Sequence, residues 1–402
     1  MIVITSEYCV LSPANDGDPV TNPNPQPEQP WTTSYLAALA GPAQALGFMP
    51  QPRAFHAQTV RQAIRLGRGG SRVRLELSNE FGTEPLVIDE IALHNPRTGD
   101  TVPALQGGDV RWEIPVGKTA ISEPVDLPAR SGDELMIDCL IVGGTTPGSY
   151  LHSAQRTAEA APGNQLGKPQ FAGAERFASL YWVTRVLVDE PASGPVIIAI
   201  GDSITRGDGT SIDKEQRYPD HLQRRLLAAG LGDAVVLNAG HGGNRLLRPA
   251  AGPSMTDRYA RDVLAITEAT HVIILAGTND IGLPLLLGQP RPAPDEIVSG
   301  LLALAGRAHE RGINPVLATI PPILASRYEF YRADGAEHAR RTVNDAIASQ
   351  RDWPVADFAA ALAAPDDSTR LNPAYDSGDG IHPNDAGGQA MADAVNLTLF
   401  KQ

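Results

Sequence analysis

The sequence predicts an antiparallel β-sandwich followed by an α/β domain whose parallel sheet is covered by helices on both faces. Three observations support this prediction. The 402 residues are 42% hydrophobic and 20% charged, which is typical of a globular chain long enough for two domains. Residues 31–190 repeatedly alternate apolar and polar side chains at period two. After residue 195, short apolar runs alternate with longer amphipathic ones, which indicates consecutive βα units.

The first half of the chain carries the signals of strands. Val73, Leu75 and Leu77 alternate with polar residues, and the same pattern recurs at 110–114, 135–141 and 182–188. Turn-forming sequences such as GG at 69–70 and RTGD at 97–100 separate these runs. We therefore expect an accessory β-sandwich over 31–190. A tail rich in Pro, Asn and Gln at 1–30 should be extended, and DEPASGP at 189–195 should be a linker.

The second half, 195–402, is predicted to contain five parallel strands. Apolar runs begin at positions 196, 235, 272, 316 and 354, and a helical pattern follows each of them. One such helix is expected from about Pro219 and another near Arg258 to Thr267. The last should be capped by Asn384 or Asp385 and reach Leu399. Because such sheets bind ligands beyond the carboxyl ends of their strands, the site is expected there.

Composition argues against several classes of protein. The formal net charge is −13 and no Lys/Arg cluster stands out, which argues against a nucleic-acid partner. No run of eighteen apolar residues predicts a membrane span. Cys9 and Cys139 are the only cysteines, so at most one bridge could form between them. The nine His lack CxxC or HExxH spacing, so neither a metal nor another cofactor is predicted.

The compartment stays open at this point. The first residues, MIVITSEYCV, lack the basic start and long apolar middle of a signal peptide. Either the chain is cytoplasmic or the sequence is a mature form without its leader. No feature of the sequence indicates an oligomeric state.

Chemically useful residues follow the predicted strands. The segments are GDSITRG at 201–207, NAGHGGNR at 238–245, GTND at 277–280 and DSGDGIHPN at 376–384. Since carboxyl ends of parallel strands share one edge of the sheet, these loops should meet at one rim. Together they offer the groups that acyl transfer requires.

Ser203 is the candidate nucleophile, because a serine at a strand-to-helix junction presents its hydroxyl at the rim. His382 is the candidate base, and Asp379, three positions earlier, could fix its tautomer and stabilise the imidazolium. The backbone N–H groups of Ser203 and Gly243 and the side-chain amide of Asn279 could together bind a developing oxyanion.

Each segment also has a simpler interpretation. A Gly-Asp-Ser after a strand is often a helix cap, and Asn279 with Asp280 could be a cap or an Asx-turn. The Gly242–Asn244 segment could be only a turn, and 379–383 only a loop that enters a helix. Four such segments at one rim of one βα series make these separate explanations improbable, so we favour the catalytic interpretation.

The order and spacing of these segments resemble the SGNH or GDSL hydrolases over about 200 residues. The resemblance implies a flavodoxin-like three-layer α/β/α domain. It also implies Ser203 as nucleophile, His382 as base and Asp379 as its partner, with Gly243 and Asn279 completing the oxyanion hole. The β-rich front half, with SNEFG at 78–82, and the segment PAYDSGD at 373–379 look like a bacterial subgroup of secreted acyl hydrolases and arylesterases. Export is thus an implication of the resemblance.

Some positions depart from the pattern of such relatives or complicate it. They often carry Ile-Ser before the glycine of the second block, where this chain has His241 and Gly242. His241 could therefore face the acyl pocket or be a further donor, or be a solvated loop residue; Asp202 is the other candidate pocket residue. Asp376 competes with Asp379 as the partner of His382. The segment 281–288, IGLPLLLG, could form a wall of the acyl pocket or pack beneath the rim.

The sequence therefore predicts a cofactor-free serine esterase that acts on short acyl or acetyl esters, either small molecules or acylated carbohydrates. A carbohydrate deacetylase and an acyltransferase would use the same residues. A carbohydrate-binding protein without turnover is the alternative from another class. The front β-domain could bind a polysaccharide, although a structural role that shapes the catalytic cleft is the favoured interpretation.

Overall fold

The computed structural model of the chain describes residues 30–42, 46 and 49–401. Nearly all of the predicted extended tail, together with Cys9, lies outside these residues. Cys139 is buried in the β-rich half, where burial raises the pKa of its thiol.

The front half is built from fourteen strands among the described residues. They are β1 (Thr32–Leu36), β2 (Gln58–Arg65), β3 (Val73–Ser78), β4 (Leu86–Ile88), β5 (Glu90–Asn95), β6 (Asp100–Pro103), β7 (Trp112–Ile114), β8 (Thr119–Ile121), β9 (Glu134–Ile141), β10 (Tyr150–Leu151), β11 (Ala158–Pro162), β12 (Glu175–Phe177), β13 (Leu180–Tyr181) and β14 (Val183–Val188). Two larger antiparallel sheets have the orders β1-β14-β3-β8 and β12-β11-β2-β9-β5-β6, and the pairs β10-β13 and β4-β7 complete the region.

Alternation along the strands explains why these two sheets form a sandwich. Val73, Leu75 and Leu77 on β3 are fully buried, as the period-two pattern predicts. They share one apolar core with residues of β2 and β9 from the other sheet, such as Ile64 and Ile137. The predicted antiparallel sandwich is therefore confirmed.

The second half contains one parallel five-stranded sheet. Its strands are β15 (Val196–Gly201), β16 (Val235–Gly240), β17 (His271–Ile274), β18 (Asn314–Ala318) and β19 (Val355–Ala356), in the order β16-β15-β17-β18-β19. A small antiparallel pair, β20 (Ala363–Ala364) and β21 (Asp367–Leu371), lies outside it.

Helices cover both faces of this sheet. They are α1 (Ser203–Arg206), α2 (Tyr218–Ala228), α3 (Met255–Tyr259), α4 (Thr278–Leu286), α5 (Pro294–His309), α6 (Ala336–Ser349), α7 (Phe358–Leu362) and α8 (Asp385–Asp393). Ile198 of β15 faces a core shared with α5 and α6, whereas its neighbour Ile197 faces a core shared with α2 and α8. The α/β/α arrangement and the parallel sheet are as predicted.

Two helices differ from the predicted bounds. The helix expected at 258–267 begins at Met255, because the Ser254 side chain accepts from the backbone N–H of Asp257 and caps it. It is α-helical to Tyr259 and continues as a π-helical segment, Ala260–Leu264, which ends before Thr267. The last helix ends at Asp393 rather than near Leu399. Asn396 accepts from Thr398 N and starts a separate 3₁₀ turn, Leu397–Phe400. Asn384 is the N-cap of α8, one of the two caps expected.

One extended segment contributes to the cores of both halves. Leu36 and Ala38 are buried in the core of the α/β half, whereas Ala37 and Leu39 are buried in the core of the sandwich. Successive side chains of an extended chain point to opposite sides, which explains the division. The two halves therefore share a boundary layer.

Candidate active site

Ser203 lies at the junction of β15 and α1. Asp202 is the N-cap of α1, and its side chain accepts from Ile204 N at 2.9 Å. The carboxylate is fully buried and does not line the cavity described below, and burial raises its pKa to about 6. Asp202 thus supports the turn from beneath, whereas the sequence made it a candidate for the substrate pocket.

The side chains of Ser203, His382 and Asp379 form a series of hydrogen-bonding contacts. Ser203 Oγ lies 2.8 Å from His382 Nε2, and His382 Nδ1 lies 2.7 Å from Asp379 Oδ2. The other oxygen of Asp379 accepts from the backbone N–H groups of Ile381 and His382. The carboxylate is held by its own loop and faces the ring through one oxygen.

The contacts of Asp379 and His382 determine the charges of these two side chains. Burial alone would raise the pKa of Asp379, but its hydrogen bond with His382 and the charge of that ring lower it to about 2. Burial alone would lower the pKa of His382, but the hydrogen bond with Asp379 and the nearby Asp208 carboxylate raise it above the usual value. The aspartate is therefore ionised and the imidazolium form is stabilised.

Asp376, the other candidate partner of His382, accepts hydrogen bonds from the backbone instead. Its Oδ1 accepts from the N–H groups of Gly378 and Gly380 at 2.8 and 3.0 Å. These bonds fold the loop that carries Asp379. The geometry thus favours Asp379 over Asp376 as the partner of His382.

The candidate oxyanion donors come from two other loops. Gly243 has φ +70°, which a side chain would strain, and a Cβ there would collide with Met49 and Ala251. Asn279, at the start of α4, donates through Nδ2 to the carbonyl of Asn244 at 3.0 Å. The same nitrogen also donates to Asp202 Oδ2 at 3.3 Å. Its Oδ1 accepts from the hydroxyl of Tyr331, so the amide nitrogen is the donor end of the side chain, and an oxyanion would share its hydrogens with Asn244 and Asp202.

These groups surround a cavity of about 270 Å³. The α/β half supplies Ser203, Arg206, Asp208, Gly243, Asn279, Leu283, Tyr328, Phe330, Tyr331 and His382 to its lining. The front half supplies Leu46, Met49, Pro50, His152 and Ser153. Both halves of the chain therefore build the cavity. A front half that shapes the cleft was the favoured interpretation of the sequence, but the residues through which it does so were not predicted.

His241 and Gly242, where the sequence departs from the pattern that it resembles, both lie in crowded surroundings. His241 is buried, its Nδ1 lies 3.1 Å from the carbonyl oxygen of Ala38, and its ring packs edge-on against His152. Burial lowers its pKa to about 3, so the ring is neutral. A side chain at Gly242 would collide with the guanidinium of Arg206. His241 does not line the cavity but contacts the front half.

Arg206 connects these contacts to the cavity wall. Its guanidinium pairs with Asp208 through two nitrogens and donates to the carbonyl oxygen of His152 at 2.6 Å. Nothing in the local sequence marks such a contact between distant segments. The glycine at 242 leaves room for the Arg206 guanidinium, but a glycine in a turn does not by itself predict such a contact.

The segment 281–288 contributes to both alternatives that the sequence left open. Leu283 lines the cavity, whereas Ile281 is buried in the core of the α/β half. Leu285 and Leu286, by contrast, are exposed. One residue of the segment thus forms the wall, and another packs beneath the rim.

Two absences concern only the part of the chain that the structure describes. There, no three His, Cys, Asp or Glu side chains come together in a way that would hold a metal ion. No described helix combines the length and the apolar character needed to cross a membrane.

Part of the chain is similar to a known protein family and to several solved structures. Residues 199–390 match the GDSL-like Lipase/Acylhydrolase family. Similar solved structures include an aryl esterase from M. smegmatis, with 19% identity over 50% of this chain and 95% of that chain and a TM-score of 0.40. Another is a catalytic mutant of an acetylxylan esterase from Geobacillus stearothermophilus, with 23% identity over 51% of this chain and 93% of that chain and a TM-score of 0.39.

A GDSL-like lipase from Bacteroides thetaiotaomicron is also similar, with 20% identity over 50% of this chain and 84% of that chain and a TM-score of 0.38. None of the curated proteins matches the chain. The second half of this chain is a GDSL/SGNH lipase/acylhydrolase domain, and an antiparallel β region precedes it.

Proposed function

We propose that the protein is a serine esterase that hydrolyses carboxylic esters through an acyl-enzyme. The observation that carries the proposal is the continuous chain of short contacts from Ser203 Oγ through the His382 ring to Asp379. A hydroxyl within reach of an imidazole, itself oriented by an ionised carboxylate, is the arrangement that activates a serine nucleophile.

In the proposed mechanism, His382 Nε2 removes the proton of Ser203 as Oγ attacks the ester carbonyl carbon. The tetrahedral intermediate collapses when the protonated ring gives that proton to the leaving alkoxide oxygen, which departs as an alcohol. Water then enters, loses a proton to His382 and attacks the acyl-enzyme carbonyl. Collapse of the second intermediate returns the proton to Ser203 and releases the acid.

The oxyanion of both intermediates would lie among three donors: the N–H groups of Ser203 and Gly243 and the amide of Asn279. The bond from Tyr331 to Asn279 Oδ1 supports the role of the amide, because it orients the nitrogen before substrate arrives.

The cavity supports a small acyl group as the substrate class. Its volume of about 270 Å³ is below the range of roughly 300–1,000 Å³ typical of sites for drug-sized ligands. Polar groups of Ser153, Arg206 and Asp208 also line it. These groups favour a hydroxylated alcohol as leaving group, so an acetylated carbohydrate is the second candidate substrate. The same polar lining would admit a sugar hydroxyl as acyl acceptor in place of water.

The test combines labelling with a substrate panel. We expect a fluorophosphonate probe to label the wild-type protein at Ser203, and p-nitrophenyl acetate and butyrate to be hydrolysed faster than the palmitate ester. Acetylated xylan and an added alcohol, assayed beside this panel, separate esterase, deacetylase and acyltransferase activity by their products. A folded protein that is neither labelled nor active would instead be the binding protein considered above.

The pH dependence follows from the charge of His382. The base must be neutral, and Asp379 and Asp208 raise the pKa of the ring. We therefore expect kcat/KM to fall as the pH is lowered through this raised pKa, with a midpoint above the ordinary histidine value of about 6.5. A pH profile of p-nitrophenyl acetate hydrolysis measures the midpoint. A midpoint well below that value would contradict the role of His382 as a base coupled to Asp379.

Replacing Asn279 with alanine removes the proposed side-chain donor. We expect kcat to fall about 10²- to 10³-fold while KM changes little, since the lost hydrogen bond acts on the transition state. Steady-state kinetics with p-nitrophenyl acetate checks this. Tyr331→Phe is the matched control, because it keeps the amide but frees its oxygen, and its effect should be smaller. Equal losses in the two variants would point to a structural role of the pair.

A further inference from the structure

One side of the cavity is an apolar cluster that joins the two halves of the chain. Leu46, Ala251 and Leu283 are buried together, and Met49 and Phe330 pack against them. All of these except Ala251 also line the cavity that contains Ser203. The front half therefore supplies part of the apolar wall next to the proposed nucleophile.

Met49 contacts the turn that carries a proposed oxyanion donor. A Cβ built on Gly243 would lie only 2.5 Å from Met49 Cε and 2.8 Å from Ala251 Cβ. The methyl group of Met49 consequently lies against Gly243, the residue whose backbone N–H is a proposed oxyanion donor. Methionine is flexible and apolar, so it can fill such a space without a polar atom that needs a partner.

The chemistry of the intermediate indicates which part of an ester would meet this wall. The tetrahedral carbon carries Ser203 Oγ, the oxyanion, the leaving oxygen and the acyl chain. The leaving oxygen must face His382 Nε2, because the ring delivers its proton there. With the oxyanion directed to Gly243, the acyl chain is left to lie beside the oxyanion turn, away from His382. The apolar cluster meets this turn.

We propose that Met49, a residue of the front half, sets the upper length of the acyl group. This inference rests on the proposed esterase function and deepens it. The thioether closes the acyl side of the cavity at Gly243, within the apolar cluster that also includes Leu283 and Phe330. The polar groups of Arg206 and Asp208 remain for the alcohol.

The test measures kcat/KM for two ester series. In the first the acyl group grows from acetate to octanoate with p-nitrophenol as a constant leaving group. In the second the acyl group is acetate and the alcohol grows. Met49→Ala should raise the octanoate-to-acetate ratio of kcat/KM at least about tenfold, the scale of a pocket change of one or a few methylene groups. The ratios in the alcohol series should stay within twofold of the wild type.

Two further variants make the result decisive. Met49→Phe should act in the opposite direction and lower the butyrate-to-acetate ratio, and it carries the test should the alanine variant fail to fold. Val142→Ala is the control, because Val142 is an apolar residue of the same half that is 56% exposed and absent from the cavity. It should keep the wild-type profile, and thermal unfolding of each variant confirms that it is folded.

Each outcome is distinguishable. Unchanged acyl ratios in folded, active Met49 variants would overturn this inference and leave the esterase proposal intact. A change in the alcohol series alone would overturn the assignment of Met49 to the acyl side. A wild-type protein that hydrolyses no ester and escapes labelling would overturn both proposals together.

Discussion

Replacing Ser203 with alanine is expected to lower kcat for p-nitrophenyl acetate by about 10⁴- to 10⁶-fold. The variant lacks the only oxygen within hydrogen-bonding distance of His382 Nε2 that the described residues provide, so no acyl-enzyme can form. The residual rate of the variant would come only from substrate binding and from the oxyanion donors. Stopped assays at high enzyme concentration, together with mass spectrometry of the fluorophosphonate adduct, measure both effects.

The interpretation of that loss requires that the fold is intact. The Ser203 side chain makes no other side-chain hydrogen bond among the described residues, so thermal unfolding should resemble that of the wild type. A variant that keeps more than a hundredth of the activity, or still takes up the probe at another residue, would rule out Ser203 as the nucleophile.

The second large effect is expected for Asp379→Asn, with a loss in kcat of about 10⁴-fold. The amide keeps the shape of the carboxylate, but it neither stabilises the imidazolium nor holds the proton on Nδ1. Its nitrogen can donate to Nδ1, which would turn the ring to the tautomer that cannot accept the serine proton. The residual activity should titrate at a lower pH than the wild type, because the carboxylate raises the pKa of His382. A pH profile of the variant measures this displacement.

Asp376→Asn is the matched control from the same loop. An asparagine oxygen can still accept from Gly378 and Gly380, so most activity should remain. The reverse order, with Asp376→Asn inactive and Asp379→Asn active, would move the assignment of the acidic partner to Asp376.

Local patterns were sufficient to predict the sheets and the proximity of Ser203, His382 and Asp379. The period-two runs of β3 and β9 and the apolar runs of β15 and β17 are each readable within a few residues. The rule that carboxyl ends of parallel strands share a rim then places Ser203 near His382. The distances that connect Ser203, His382 and Asp379 agree with this placement.

The walls of the cavity could not be predicted in this way. The contact of Arg206 with the carbonyl of His152, and of Met49 with Gly243, joins segments that are far apart in the chain. Such contacts produce no periodic pattern in the sequence, because each depends on how the two folded halves pack against each other. Two predicted helix bounds were also wrong. The capping side chains of Ser254 and Asn396 begin new elements at positions that the apolar pattern does not mark.

The alternating burial of Leu36 to Leu39 has a consequence for how this protein can change over time. A recombination event that exchanged the front half for an unrelated sandwich would remove Leu36 and Ala38 from the core of the α/β half. The same event would deprive the His241 ring of the carbonyl of Ala38. The two halves are therefore expected to evolve together. A different front half would have to supply its own residues in place of the segment Leu36–Leu39.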